Sequence, residues 1–136
     1  MNYEKYFSKN YFEARKKFRE STKDLKTNKK TIIDDLTIDF ALHEAKKKEK
    51  LIIIVSGTHG VEGYTGSALQ LLFIDKFLKK IKDKYSIALI HALNPYGFKN
   101  NRRYNENNVD LNRNNIENFR EVNNHFEINT ITNKII

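Results

Sequence analysis

The feature that most constrains the fold is an unbroken aliphatic run inside a chain that is otherwise rich in charge. Residues 51–55 read LIIIV and stand between Lys50 and a break at Ser56 and Gly57. β-Branched residues favour extended backbone, and an apolar run without polar alternation is typical of a strand with both faces buried. The sequence therefore predicts a strand in the middle of a parallel sheet.

The residues after this run predict a helix and then a second strand. A glycine-rich loop leads into a helical pattern over residues 68–81, and a second apolar run covers residues 87–93. That run ends at Asn94 and Pro95, which are turn residues. Two parallel strands need a crossover of this kind, so the three elements form one βαβ unit.

Two further elements are predicted before this unit. Apolar residues at helical spacing predict an amphipathic helix from Phe7 onward, and alternation from Leu36 to Leu42 predicts a strand with one exposed face. The lysine-rich stretch between them, through Lys30, shows neither pattern. The predicted fold class is α/β, with a mostly parallel sheet and flanking helices.

Composition limits the chemistry that the chain can perform. With no cysteine in the chain, thiolate nucleophiles and thiolate metal sites are excluded, and any metal must be held by histidine and carboxylate. The formal net charge of +8 permits acidic partners, but the lysines are mixed with carboxylates, which favours solvated surfaces over a nucleic-acid interface. Neither a signal segment nor a membrane span is apparent, so a soluble cytoplasmic protein is expected.

The loop after the first apolar run carries an imidazole and a carboxylate. His59 and Glu62 are spaced so that both side chains face one point if a helix begins at Glu62. Ligands of open α/β sheets bind at the carboxyl ends of the strands, and zinc accepts this pair of ligands. The alternative is an ordinary surface pair, because a histidine and a glutamate three residues apart are common by chance.

The loop after the second apolar run is rich in arginine and asparagine. It contains Arg102, Arg103, Asn112 and Arg113. Guanidinium groups bind carboxylates in bidentate fashion and stabilise oxyanions, which suits a hydrolase whose substrate has a free carboxylate. An exposed basic loop without such a role is equally compatible with the spacing.

Three blocks, in this order, resemble the zinc carboxypeptidase superfamily, which includes the succinylglutamate desuccinylase and aspartoacylase group. They are residues 56–66 (SGTHGVEGYTG), 91–98 (HALNPYGF) and 102–114 (RRYNENNVDLNRN). A bacterial carboxypeptidase-like branch of undefined substrate is the most similar. Ordered blocks of this kind are much more specific than the histidine and glutamate alone.

The resemblance implies a role for each candidate residue. It implies that His59 and Glu62 are zinc ligands, and that Asn112 and Arg113 bind the substrate carboxylate. Arg102 or Arg103 would polarise the scissile carbonyl, and Arg103 is slightly favoured. The implied activity is zinc-dependent hydrolysis of peptide or N-acyl amino acid amide bonds, with a small peptide or acyl amino acid as substrate.

The resemblance also implies that the site is incomplete in this chain. In the family, a second histidine ligand and a general-base glutamate come from later strands. The sequence predicts the N-terminal part of a carboxypeptidase-like domain over residues 1–114 and a poorly patterned tail over 115–136, so a truncated, weakly active or inactive fragment is expected. His91 is expected to be a core residue, and the tail offers only weak substitutes for the missing groups, namely His125, Glu117, Glu121 and Glu127.

Two other kinds of partner are compatible with the sequence. A complementing chain could supply the missing strands. The alternative function is a small basic nucleic-acid-binding or interaction module without catalysis, in which arginine side chains contact phosphates and binding weakens steeply with salt.

Overall fold

The computed structural model describes residues 2–46 and 50–114. Within these ranges, a 3-10 turn at Glu4–Tyr6 precedes the helices and strands. In chain order these are α1 (Tyr11–Ser21), β1 (Lys26–Ile33), β2 (Leu36–His43), β3 (Lys50–Val55), α2 (Gly63–Phe73), α3 (Lys79–Ile81), β4 (Tyr85–His91) and α4 (Pro95–Asn100). A π-helical turn at Ile74–Leu78 joins α2 to α3. The predicted tail over residues 115–136, with His125 and the acidic candidates, lies outside the described residues.

The strands form one mixed sheet in the order β1-β2-β4-β3. β2 pairs antiparallel with both β1 and β4, and β3 pairs parallel with β4. The α/β class is confirmed, and so is the parallel pairing across the predicted βαβ unit. The sheet is mixed rather than mostly parallel within the described residues, because β1 and β2 form a hairpin whose first strand the lysine-rich sequence does not reveal.

The surroundings of β3 differ from the prediction. In the described sheet β3 is an outer strand, and Leu51, Ile53 and Val55 are 54%, 54% and 44% exposed. On its other face, Ile52 and Ile54 pack into the core. The prediction that both faces are buried in the middle of the sheet is therefore wrong for the described residues, since an aliphatic run reports the strand but not its place in the strand order.

The helices cover one face of the sheet and form the core with it. Phe18 of α1 and Leu78 of the π-helical turn pack against Ala41, Ile87 and Leu89 of the strands. Fully burying a large apolar side chain contributes about 2 kcal/mol, so this layer is the main source of stability. The side chains on the opposite face of β3 lie outside this core layer.

The start of α1 is set by its cap rather than by its apolar pattern. Asn10 accepts a hydrogen bond from the Glu13 amide at 2.9 Å, and the Glu13 carboxylate accepts one from the Lys9 amide at 2.9 Å. This reciprocal capping begins the helix at Tyr11, so Phe7, with which the predicted helix began, stays outside it.

In the part of the chain that is described, no helix combines the length and the apolar character that crossing a bilayer requires.

Candidate active site

The loops after β3 and β4 leave the sheet side by side. Beyond the strands, the Ser56 amide donates to the Ile90 carbonyl at 2.9 Å, and the Leu93 amide donates to the Ser56 carbonyl at 3.0 Å. The Asn94 amide then donates to the Gly57 carbonyl at 2.8 Å. Because each loop is tied to the other at its first residues, the two candidate segments meet at one edge of the sheet.

Gly60 packs directly against the main chain of the second loop. Its amide donates to the Arg102 carbonyl at 3.0 Å. A Cβ atom at this position would lie 1.9 Å from the Gly97 carbonyl oxygen and 2.4 Å from that of Arg102. Only glycine fits such a contact. The glycine requirement at this position therefore comes from the second loop.

Asn94 holds the start of the second loop in place. Its side chain is buried, accepts a hydrogen bond from the Gly97 amide at 2.8 Å and donates one to the Arg103 carbonyl at 3.2 Å. The first contact caps α4, and the second fixes the backbone that carries the arginine. One asparagine thus links the end of β4 to the candidate arginine.

His59 stands between two carboxylates. Its Nε2 lies 2.8 Å from Asp110 Oδ1, and its Nδ1 lies 2.9 Å from Glu62 Oε2. The side chains of His59 and Asp110 are 13% and 10% exposed, whereas that of Glu62 is 74% exposed. A neutral imidazole has a single N–H and can donate to only one of them. The other contact is favourable when that nitrogen is protonated or when a cation lies between its lone pair and the carboxylate.

Asp110 connects His59 to one of the arginines. Arg103 Nε donates to Asp110 Oδ2 at 2.7 Å, and the Asn112 amide donates to Asp110 Oδ1 at 3.0 Å. The hydrogen bond from Arg103, together with the smaller effect of the one from His59, holds the pKa of Asp110 well below its usual range. The same contact with Asp110 raises the pKa of Arg103. Asp110 therefore stays ionised and gives both side chains a fixed anionic acceptor.

The two candidate arginines face different surroundings. Arg103 belongs to the network of His59 and Asp110, while Arg102 Nη2 donates to Asn108 Oδ1 at 3.1 Å and its guanidinium lies 5.9 Å from the centre of the Tyr96 ring. Of the two, only Arg103 shares a carboxylate with His59.

Asn112 and Arg113 join the network through their backbone. Both side chains are exposed. The Arg113 amide donates to the Asp110 carbonyl at 3.0 Å, next to the bond from the Asn112 amide to the Asp110 side chain. The structure thus places the backbone of these residues beside Asp110, with their side chains exposed.

Asp110 is the candidate that sequence reasoning missed. It precedes Asn112 and Arg113 within the third sequence block, where it is one of two acidic residues, with Glu106, in an arginine-rich loop. Its partner His59 is 51 residues away. The available signal was one of two carboxylates among the arginines of this block. Only the approach of the two loops shows that this carboxylate contacts the imidazole of His59.

The donors around His59 Nδ1 fit part of a metal site. An imidazole nitrogen and a carboxylate oxygen are accepted zinc ligands, and a carboxylate on the other ring nitrogen is the usual support of a metal-bound histidine. Across residues 2–46 and 50–114, no group of three or more His, Cys, Asp or Glu side chains could hold a metal ion. The described residues therefore contain one candidate pair of ligands, His59 and Glu62, beside a carboxylate that contacts the other ring nitrogen.

His91, expected to be a core residue, is fully buried. Its ring stacks on Phe18 with centroids 4.7 Å apart, and Nε2 lies 3.1 Å from Ser67 Oγ. Nδ1 has no hydrogen-bond partner among the described residues. Burial, and to a smaller degree the charges of Arg19 and Arg15, lower the pKa of His91 to about 3, so the ring is neutral.

Comparison with solved structures defines the class of fold. A crystal structure of a candidate metallopeptidase from Shewanella denitrificans OS217 is similar with a TM-score of 0.61 and 24% sequence identity. The match covers 73% of this chain and 38% of that one. The chain therefore has a metallopeptidase-like α/β fold and spans well under half the length of that relative.

A scan of protein families gives the family itself. The family described as "Protein of unknown function (DUF2817)" matches residues 7–135, and the chain belongs to it. A search of curated proteins found no match. The family and structural matches together confirm the resemblance to zinc carboxypeptidase-like proteins that the three sequence blocks indicate.

Proposed function

We propose that this chain is the N-terminal part of a zinc-dependent hydrolase that cleaves peptide or N-acyl amino acid amide bonds. The observation that carries the proposal is the position of His59 Nδ1, 2.9 Å from Glu62 Oε2, where the loops after two parallel strands meet. Ligands of α/β sheets bind at this edge. The metallopeptidase-like fold supports the same interpretation.

His59 and Glu62 would hold the zinc ion, and Asp110 would keep His59 in the required tautomer. When Asp110 accepts the Nε2–H at 2.8 Å, the lone pair of Nδ1 is left facing Glu62. Bound zinc supplies a Lewis acid and a water of lowered pKa. The carboxylate of Asp110 is already charged, so it needs no proton transfer to perform this task.

Arg103 is the residue that we assign to the substrate carbonyl. Its contact with Asp110 uses Nε, and the terminal amino groups of a guanidinium carry further donors. Its side chain is 46% exposed and can therefore reach a bound ligand. Arg102, directed toward Asn108 and Tyr96, is the second choice.

Asn112 and Arg113 would bind the free carboxylate of a small peptide or acyl amino acid. Both are exposed and are held beside Asp110 by backbone hydrogen bonds. A guanidinium fork and a side-chain amide give a carboxylate several donors in one plane. This arrangement supports a substrate with a terminal carboxylate, next to the amide that is cleaved.

The remaining zinc ligand and the general base would come from outside the described residues. Two protein ligands hold zinc weakly, because structural and catalytic zinc sites use at least three. We therefore expect the chain alone to bind zinc weakly and to have little or no hydrolase activity. A cytoplasmic location also remains part of this proposal.

Zinc titration of the purified chain tests the proposal. We expect saturable binding that falls at least tenfold in His59→Ala, because one of two ligands is lost. His43→Ala is the matched control, since His43 contacts the Lys82 carbonyl away from the site. Equal zinc affinity in His59→Ala and the unsubstituted chain would contradict the proposal.

The geometry does not favour the nucleic-acid alternative at Arg102 or Arg103. Arg103 is paired with Asp110, and Arg102 donates to Asn108, so neither guanidinium is presented without a protein acceptor. Titration with labelled duplex DNA at low and high salt would separate the alternatives, because phosphate binding weakens steeply as salt rises.

A further inference from the structure

Gln70 is a polar residue at a position where α2 meets the sheet. Its side chain is only 1% exposed. An aliphatic side chain would fill this position without a polar cost, whereas a buried amide is unfavourable unless its donors and its acceptor find partners. The amide of Gln70 therefore has a role other than filling space.

This amide joins the two parallel strands close to their carboxyl ends. Gln70 Nε2 donates to the Ile54 carbonyl of β3 at 3.0 Å and to the Ile90 carbonyl of β4 at 2.9 Å. β3 ends one residue after Ile54, and β4 ends one residue after Ile90. Both N–H donors are thus used on main-chain acceptors, which fixes α2 at the edge of the sheet where the candidate site lies.

The acceptor of the same amide holds Ser56, the first residue after β3. Ser56 is buried, and its Oγ donates to Gln70 Oε1 at 2.8 Å. The Ser56 carbonyl in turn accepts a hydrogen bond from the Leu93 amide of the second loop at 3.0 Å. Ser56 lies three residues before His59, so the contact with Gln70 fixes the start of the loop on which the histidine lies.

α2 carries the second candidate ligand. Glu62 is the N-cap residue of this helix. A helix rises about 1.5 Å per residue, so Gln70 lies about 12 Å farther along the same element. α2 also packs tightly on Ser56, because a Cβ atom at Gly66 would lie 3.1 Å from Ser56 Cβ. A shift of α2 against the loop would therefore change the distance between Glu62 and His59.

We propose that Gln70 is a positioning residue for the candidate metal site. Its amide joins α2, which carries Glu62, to the two strand ends from which the loops leave. Its contact with Ser56 sets the position of the loop that carries His59. The inference rests on the proposed function, because the site that Gln70 positions is the one assigned to zinc.

Gln70→Met tests the inference, because methionine has nearly the length and volume of glutamine but lacks the amide donors. Zinc titration of the whole chain should show a roughly fivefold lower affinity, a smaller loss than in His59→Ala, because both ligands remain but are held less firmly. Ser56→Ala removes only the contact with the loop and should lower the affinity by a smaller factor. Thr22→Val is the matched control, because it removes a buried hydroxyl that donates to the Phe18 carbonyl at 2.8 Å just after α1. It should leave zinc affinity unchanged.

Amide exchange gives a second measurement that needs no zinc. The Gly60, Leu93 and Asn94 amides donate hydrogen bonds between the two loops. In the methionine variant they should exchange at least about tenfold faster relative to the amides inside β4, because local opening of the loops becomes easier. In the valine control the loop and β4 amides should change together. Loss of global stability alone would accelerate both groups equally.

The proposed function and the positioning role fail in different ways. If the unsubstituted chain and His59→Ala bind zinc equally, the zinc site is wrong, and amide exchange still shows whether Gln70 holds the loop. If zinc binding is confirmed but Gln70→Met keeps the affinity of Thr22→Val, or if its loop amides keep pace with those of β4, the positioning role is overturned. Should circular dichroism show that Gln70→Met does not fold, Ser56→Ala decides by the same two measurements.

Discussion

His59 and His91 lie at the ends of neighbouring parallel strands, yet their surroundings are opposite. His59 comes after β3 and contacts two carboxylates. His91 is the last residue of β4, is fully buried and stacks on Phe18. The loop gives the first imidazole an anionic environment, and the strand gives the second an apolar one. The difference teaches that the element on which a histidine lies determines its surroundings. A histidine in the loop can face a cation, whereas one at the end of the buried strand cannot.

The largest effect on stability should come from His91→Ala. Removing a buried ring that stacks on Phe18 leaves a cavity, and such changes cost about 3 kcal/mol of unfolding free energy. His59→Ala should cost less, about 1 kcal/mol, because it removes hydrogen bonds of a loop side chain and opens no cavity in the apolar core. Urea unfolding of both variants measures the difference, and equal losses would remove the contrast between the histidines.

Asp110→Ala should lower zinc affinity by roughly tenfold to a hundredfold, the usual effect of removing a carboxylate that supports a metal-bound histidine. Asp110→Asn is the control that keeps an acceptor for His59 Nε2 and should lose less. Competition with a chelator of known affinity measures both. If Asp110→Ala binds zinc as tightly as the unsubstituted chain, the supporting role of Asp110 is wrong.

Acid should destabilise the fold through His91. Its pKa of about 3 in the folded chain is below the ordinary 6.5 expected when unfolded, so the unfolded state binds the proton first. The stability contribution is complete above pH 6.5 and is lost as the pH falls toward 3, by at most about 1.4 kcal/mol per pH unit. His91→Phe keeps a stacked ring without a titrating nitrogen, so its unfolding free energy should vary less over this interval.

The smallest effect should be seen with the arginines. Arg103→Met removes the positive charge that pairs with Asp110, the carboxylate that His59 also contacts. Zinc affinity should therefore rise by roughly threefold, about 0.7 kcal/mol. Arg102→Met should leave it unchanged, because its guanidinium contacts Asn108 and Tyr96. Calorimetric zinc titrations of the two variants, run together, decide which arginine belongs to the site of His59. A rise only in Arg102→Met would reverse the assignment.

Much of the fold could be predicted because its elements leave local signals. The aliphatic runs predict β3 and β4, and the glycine-rich loop marks the edge where the site lies. Alternation predicts β2, but the predicted exposed face is wrong, because Thr37 and Asp39 are buried as well as Leu36 and Ile38. β1 gives no such signal, because its lysines lie on the exposed edge of the sheet and do not pack into the core. The exposure of β3 is equally invisible, because strand order depends on the β1 and β2 hairpin pairing with β4.

The candidate site likewise has a part that the sequence predicts and a part that it does not. His59 and Glu62 are close in sequence, and their spacing alone predicts that they can meet. Asp110 reaches His59 only through the approach of the two loops at Gly60. The choice between Arg102 and Arg103 likewise depends on which guanidinium faces Asp110. Adjacent residues in an irregular loop have no periodicity from which that direction could be read.

The contact at Gly60 has a consequence for redesign of this protein. With no room for even a methyl group between Gly60 and the carbonyls of Gly97 and Arg102, main-chain atoms set the spacing of the two loops at this point. Exposed side chains that bind neither the main chain nor the other loop, such as that of Arg113, can then be exchanged without altering this contact. A different set of ligands could therefore be introduced at the exposed positions of the two loops.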